Sequence, residues 1–144
     1  MTAVMSNSEA DTEAIGEAFA LKLEAGAIVY LEGPLGAGKT AFVRGMARGL
    51  GASPADVSSP TFSLLQEYAG RLTLFHADLY RLQSREVDDL GLLDLSVDGI
   101  LAVEWPERWH AAPSDAILVK ILKSDEHTRA ITISSNPYKE EGGQ

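Results

Sequence analysis

Apolar positions recur along this chain at two spacings, about 3.6 and 2 residues, and the changes from one to the other outline its elements. From Ser8 to Leu23, Ile15, Ala18, Phe19 and Leu23 fall on one helical face, with Ser8 or Asp11 as N-cap and Gly26 past the end. Ala27 to Leu31 is a short, unbroken apolar run, the pattern of a buried strand. Phe42, Val43, Met46, Ala47 and Leu50 return to helical spacing, and Gly51 stands where a C-cap glycine belongs. Ala52 to Ser59 contains two Ser-Pro steps and reads as loop. Thr61 to Tyr68 and Leu72 to Ala77 are strand-like, and only Ala69-Gly70-Arg71 separates them, which predicts an antiparallel hairpin. The second arm alternates in polarity and reads as an exposed hairpin arm. Arg85 to Leu93 predicts a short helix broken by Gly91. Gly99 to Glu104 predicts a buried strand ending in a carboxylate, and Pro106 to His110 one helical turn. Ile117 to Leu122 and Arg129 to Ser134 predict a final strand pair around the turn Lys123 to Glu126.

The expected architecture is a single α/β domain of three layers. Its mixed central sheet contains the antiparallel hairpin. The domain is expected over residues 1–136, with a polar tail at 137–144.

Between the first strand and the second helix, Gly33 to Thr40 reads G-P-L-G-A-G-K-T, a complete phosphate-binding loop. Gly36 and Gly38 suit backbone conformations that a Cβ resists, so consecutive N–H groups can turn inward as an anion nest. Lys39 can reach the β- and γ-phosphates, and the Thr40 hydroxyl can ligate Mg²⁺. The helix that follows would point its positive end at the phosphates. Strand, loop and helix occur in the order this reading requires, which gives the expected three-layer domain the general form of a P-loop NTPase.

Composition narrows the functional classes. The chain has 144 residues, 45% of them hydrophobic, and a mean hydropathy near zero, as expected of a globular domain. No apolar stretch is long enough for a membrane span, and the acidic start at Glu9, Asp11 and Glu13 does not resemble a secretory signal. Absence of cysteine excludes disulfides and thiolate metal sites, and the expected location is the cytoplasm. A formal net charge of −9 argues against direct gripping of nucleic acid, which needs a basic face. Arg44 and Arg48 are scattered cations, not a cluster. A small-molecule or protein partner is therefore favoured.

Nucleotide hydrolysis also needs an acidic residue for Mg²⁺, at the end of a strand beside the loop. Glu104 ends a wholly apolar run and is the better metal partner. Asp78 follows the alternating run and is then left to orient water or sense the γ-phosphate. For either carboxylate the alternative is a strand-end helix cap. Thr61, in Ser59-Pro60-Thr61-Phe62, offers a hydroxyl to Mg²⁺ or the γ-phosphate in the manner of a switch threonine, or caps a strand entry. His76 can serve acid–base chemistry or packing. Tyr80, Trp105 and Trp109 can stack on a base, face a partner or fill a core. The absence of an N-K-x-D element favours ATP over GTP.

Taken together, G-P-L-G-A-G-K-T, S-P-T-F at Ser59 to Phe62, H-A-D-L-Y-R at His76 to Arg81 and E-W-P-E-R at Glu104 to Arg108 resemble, in order and spacing, the TsaE (YjeE) family. The resemblance runs from the first helix to about Pro113 and leaves the last strands without a family signature. Pro34 stands where many members carry an acidic or amide residue, and Ala41 where a second Thr is common. The resemblance implies a Mg²⁺-dependent ATPase subunit for threonylcarbamoyladenosine formation in tRNA. It would act with TsaD- and TsaB-like partners and reach tRNA only through them. By motif it assigns Gly36, Ala37, Gly38, Lys39, Thr40 and Ala41 to phosphate binding, and Thr40 with Glu104 to Mg²⁺. Thr61 would belong to a switch-like loop and Asp78 to the catalytic region, while Trp105 would lie close to the nucleotide. Thr12 matches a position near the adenine. Residues read alone leave three alternatives: a small-molecule kinase, a nucleotide-gated binding module without significant turnover, or a GTPase with unusual base contacts.

Overall fold

The computed structural model describes residues 3–34, 36–53 and 64–135. Seven strands form one mixed sheet: β1 (Ala3–Ser6), β2 (Ile28–Glu32), β3 (Leu65–Tyr68), β4 (Thr73–Asp78), β5 (Gly99–Glu104), β6 (Ile117–Lys123) and β7 (Arg129–Ser135). Their spatial order is β1-β7-β6-β2-β5-β4-β3. The four inner strands, β6, β2, β5 and β4, run parallel, and antiparallel neighbours close both flanks. Strands β2 and β5 are apolar up to their terminal glutamates, Glu32 and Glu104, because helices or turns cover both faces of the sheet at its middle.

On one face lie α1 (Glu9–Leu21) and α2 (Lys39–Gly49). Ser8 caps α1 by accepting the Asp11 N–H at 3.0 Å. Phe42, Val43, Met46 and Leu50 of the α2 region pack with Val29, Leu31, Ile100, Ala102, Val119 and Ile121. The opposite core joins Tyr30, Leu101 and Val103 to Leu79, Val87, Leu92 and Trp109. Three layers result, as the sequence pattern predicts.

The β3–β4 hairpin, strand β5, the single turn (a 3₁₀ turn at Pro106–Arg108) and the final strand pair all form where expected. Other details differ. The segment predicted as one broken helix is two, α3 (Ser84–Asp88) and α4 (Leu92–Ser96), because Gly91 between them has φ +66°. Strand β4 is no exposed arm, since it lies between β3 and β5 and its last three residues are buried. Its alternation is real, but the polar side is an interior one: His76 and Asp78 lie on the Leu74 side, with Ala77 facing the other core. Strand β1 had no predicted counterpart. It is a short edge strand, with Val4 and Met5 exposed, that pairs antiparallel with β7. Thr61, the Ser59-Pro60-Thr61-Phe62 motif, most of the Ser-Pro loop and the polar tail from Asn136 lie outside the described residues.

Helices α1 and α2 meet backbone to backbone. A Cβ at Gly45 would fall 1.9 Å from the Glu13 carbonyl oxygen, and one at Gly16 would fall 2.2 Å from that of Phe42. Around this seam Arg44 pairs with Glu13 at 3.0 Å and Arg48 with Glu13 at 2.7 Å. Two of the scattered cations are thus neutralised locally. Since the obstacle at Gly45 is backbone, relief requires the helices to separate. Gly45→Ala should therefore lower stability by about 1–3 kcal/mol, read as a fall in Tm of roughly 2–4 °C per kcal/mol. An unchanged melting curve would contradict this seam.

Candidate nucleotide site

The candidate site begins where β2 runs into α2. Gly36 and Gly38 have φ of +80° and +112°, which places both in the left-handed region that favours glycine. Gly38 is the N-cap of α2 and has no side chain to satisfy the first-turn N–H groups. An eleven-residue helix therefore opens with donors and a positive dipole end aimed at the loop's concave side. Lys39 folds back over the loop, its Nζ donating to the Gly33 carbonyl at 2.5 Å.

Strand pairing brings the carboxylates to the same place. Leu31 of β2 is in parallel register with Glu104 of β5, and Glu104 is in turn in register with Asp78 of β4. All three strands thus end beside the loop. Period-two alternation turns His76, Asp78 and Glu104 toward the α2 side, and a slip of one residue would send them to the other core.

Glu104 is the hub of the polar contacts. Its Oε1 lies 3.6 Å from Lys39 Nζ and its Oε2 lies 2.8 Å from His76 Nε2. Burial pushes the Glu104 carboxyl up, but the His76 hydrogen bond, the charge of His76 and the charge of Lys39 together outweigh it and hold the group below its ordinary range. An ionised carboxylate can only accept, so His76 donates through Nε2. His76 is fully buried, and its Nδ1 has no hydrogen-bond partner among the described residues. Asp78 is as buried as Glu104, and its Oδ1 accepts the Tyr80 N–H at 3.0 Å.

Above these groups is a cavity of about 550 Å³, lined by Gly36, Gly38, Lys39, Thr40, Ala41, Asp78, Glu104 and Trp105 among others. That volume suits a nucleotide-sized ligand. Trp105 has φ +62° and packs against Tyr80 in a tilted arrangement, with ring centroids 4.7 Å apart. Both rings are partly exposed at the cavity mouth, and the Arg108 guanidinium stands 5.8 Å over the Tyr80 ring. A second groove of about 560 Å³, edged by Pro34 and Glu107, shares Lys39 and Trp105 with the first.

The sequence-predicted residues Gly36, Gly38, Lys39, Thr40, Ala41, Asp78, Glu104 and Trp105 thus come together. Others take different positions. Ala37 is buried, and its carbonyl accepts from Arg129. Thr12 lies behind the loop: its hydroxyl is 2.7 Å from Ser6 Oγ, and its methyl is 3.8 Å from where a Gly38 Cβ would stand. Trp109 is core. Glu9, Arg44, Tyr80 and Arg81 also reach the cavity wall. Arg81 and Tyr80 belong to a quoted motif, but no local signal marks Glu9 or Arg44, which arrive there by helix packing.

For a metal, the donor set is the Thr40 hydroxyl with the Glu104 and Asp78 carboxylates, all hard oxygens and few in number. Mg²⁺ takes one or two carboxylates and leaves its other positions to water and phosphate, so these residues fit it.

The family model described as "Threonylcarbamoyl adenosine biosynthesis protein TsaE" matches residues 6–131. The tRNA threonylcarbamoyladenosine biosynthesis protein TsaE of Nostoc is 40% identical over 141 residues, spanning 93% of this chain and 86% of the relative. Its counterpart in Aquifex aeolicus is 42% identical over 133 residues, spanning 90% and 93%. The crystal structure of YdiB from Bacillus subtilis superposes with a TM-score of 0.73 at 30% identity, covering 93% of this chain and 84% of that one. A family match across most of the chain, with relatives this similar end to end, means that this chain belongs to the TsaE family of tRNA threonylcarbamoyladenosine biosynthesis proteins.

Proposed function

We propose that this protein is a Mg²⁺-dependent ATPase subunit, acting in the cytoplasm with TsaD- and TsaB-like partners to support threonylcarbamoyladenosine formation next to the tRNA anticodon. The observation that carries the reading is the convergence of Lys39, Thr40, Asp78 and Glu104 on one cavity, with Lys39 and Glu104 already 3.6 Å apart. In this reading Lys39 and the nest N–H groups neutralise charge on the β- and γ-phosphates. Thr40 and Glu104 would hold Mg²⁺, which would supply charge neutralisation at the phosphates. Lys39 exchanges its contact with Glu104 for phosphate oxygens. Asp78, on the adjacent strand and fixed by the Tyr80 N–H, orients the attacking water. Trp105 and Tyr80 close the mouth of the site. The net charge of −9 supports contact with tRNA through the partners only.

The motifs bring no evident arginine finger: Arg44 at the cavity wall is engaged by Glu13, Arg108 stands over Tyr80, and Arg81 on the wall is the remaining candidate. Turnover should therefore be slow alone and faster with the TsaD–TsaB pair, because a cation supplied in trans raises such rates by about 10³–10⁵. Equal ATPase rates with and without partners would count against the reading. Lys39→Ala should weaken ATP binding about 10- to 100-fold, the loss of one charge-assisted contact of roughly 1.5–3 kcal/mol. Glu104→Gln should cut hydrolysis by about 10²-fold or more while ATP still binds. Direct titration and a phosphate-release assay separate the two effects, and competition with GTP tests the preference for ATP.

The charge on Glu104 also carries a stability signature. Its pKa in the folded chain is depressed below the ordinary 4.5, so its contribution is present above that value and is lost as pH falls through the lower, folded value. The stability gap between the wild type and Glu104→Gln should be constant at neutral pH and narrow below about pH 4.5. Urea unfolding between pH 7 and pH 3 reads this directly; a gap that widens in acid would contradict the direction assigned.

A further inference from the structure

The last hairpin carries none of the motifs, yet it reaches the phosphate loop at two points. At the loop's start, Gly33 lies against β6 so closely that a Cβ there would be 2.4 Å from the Ile121 carbonyl oxygen. At its far end, Arg129 extends from the first position of β7. Its Nε donates to the Ala37 carbonyl at 2.9 Å and its NH2 group to the Gly36 carbonyl at 3.4 Å. The NH1 group turns the other way, toward the carbonyls of Asp125, Glu126 and Thr128 at 3.3, 3.4 and 3.3 Å. Among the described residues no carboxylate oxygen lies within 4.0 Å of this guanidinium, so its partners are main-chain carbonyls of the loop and of the β6–β7 turn. The turn is itself fixed, since Asp125 Oδ1 accepts the His127 and Thr128 N–H groups, each at 2.9 Å.

What these bonds do follows from peptide geometry. A trans peptide is planar, and its C=O and following N–H point to opposite sides. Holding the Ala37 carbonyl against Arg129 therefore turns the Gly38 N–H the other way, toward the concave side where α2 begins. The preceding peptide is gripped at both ends: the Gly36 carbonyl by Arg129, and the Ala37 N–H by the Pro34 carbonyl at 3.0 Å. Packing supplies only part of this order: Ala37 is buried in the core, but the glycines on either side of it have few neighbours. A Cβ at Gly36 would meet nothing within 4 Å, and at Gly38 the nearest atoms are 3.8 and 3.9 Å away. Unbraced glycines keep the most conformational freedom of any residue, and binding would have to remove it.

We propose that Arg129 is a positioning residue for the phosphate loop, holding the peptides at Gly36 and Ala37 in the orientation that presents the Gly38 N–H to an anion before it arrives. This rests on the reading of the loop as the site for nucleotide phosphates. It also gives the β6–β7 hairpin a part in binding that no motif in it announces.

The test is calorimetric titration of the full-length chain with Mg²⁺-ATP and Mg²⁺-ADP, alongside steady-state hydrolysis, for the wild type, Arg129→Met and Arg129→Lys. Arg129→Met should bind both nucleotides about tenfold more weakly, a difference near 1.4 kcal/mol, with the loss in KM and a much smaller change in kcat. Arg129→Lys should recover only part of it, because an ammonium cannot span loop and turn as the planar fork does. A merely structural role would lower Tm in both variants without this split between KM and kcat. Wild-type affinity in whichever variants fold would overturn the role of Arg129. Failure of the wild type to bind nucleotide would overturn the ATP reading, and this inference with it.

Discussion

The parallel pairing of β2 with β5, and of β5 with β4, is the constraint on which the site depends. Leu31, Glu104 and Asp78 stand side by side in that register, so the strand that launches the phosphate loop ends level with both carboxylates. Chain neighbours do not achieve this: the Lys39 ammonium meets a carboxylate sixty-five positions away because two buried strands run the same way. Register here is set by burial. Alternate residues of β5 enter opposite cores, so a slip of one residue would exchange the two apolar sets and bury Glu104 against the wrong one.

Local electrostatics follow from that placement. A buried carboxylate without partners would take up a proton, and a buried lysine without one would lose its own. Here His76 and Lys39 together outweigh burial and hold the Glu104 carboxyl below its ordinary range. The group most useful to a cation is thus kept charged by the groups beside it. A few steps away, α1 carboxylates occupy Arg44 and Arg48, so neither of these cations stands without a counter-charge. The same contacts hold α1 against α2, which could not lie as close with a side chain at Gly45.

Legibility in the sequence was uneven for physical reasons. The first helix, the loop, its helix and the two hairpins could be read from period and punctuation, since each is specified by neighbours within a few residues. Strand β4 was misread as exposed because alternation marks which side is polar, not whether that side meets water; here it faces the loop. Strand β1 has only four residues, three of them exposed, and exists because β7 offers an edge for it to pair with. Gly91 was correctly read as a break, but its left-handed conformation divides the segment into two helices.

By itself, then, the sequence determined the loop chemistry, the pair of candidate carboxylates and the family, because short motifs carry their chemistry in residue type and spacing. Tertiary structure alone decided that His76 hydrogen-bonds Glu104, that Thr12 lies behind the loop and that Trp109 is core. It also decided that Arg129 grips carbonyls ninety-two and ninety-three positions away. None of these has a local signature, for they are contacts between elements, set by strand order and helix packing once the whole sheet has formed.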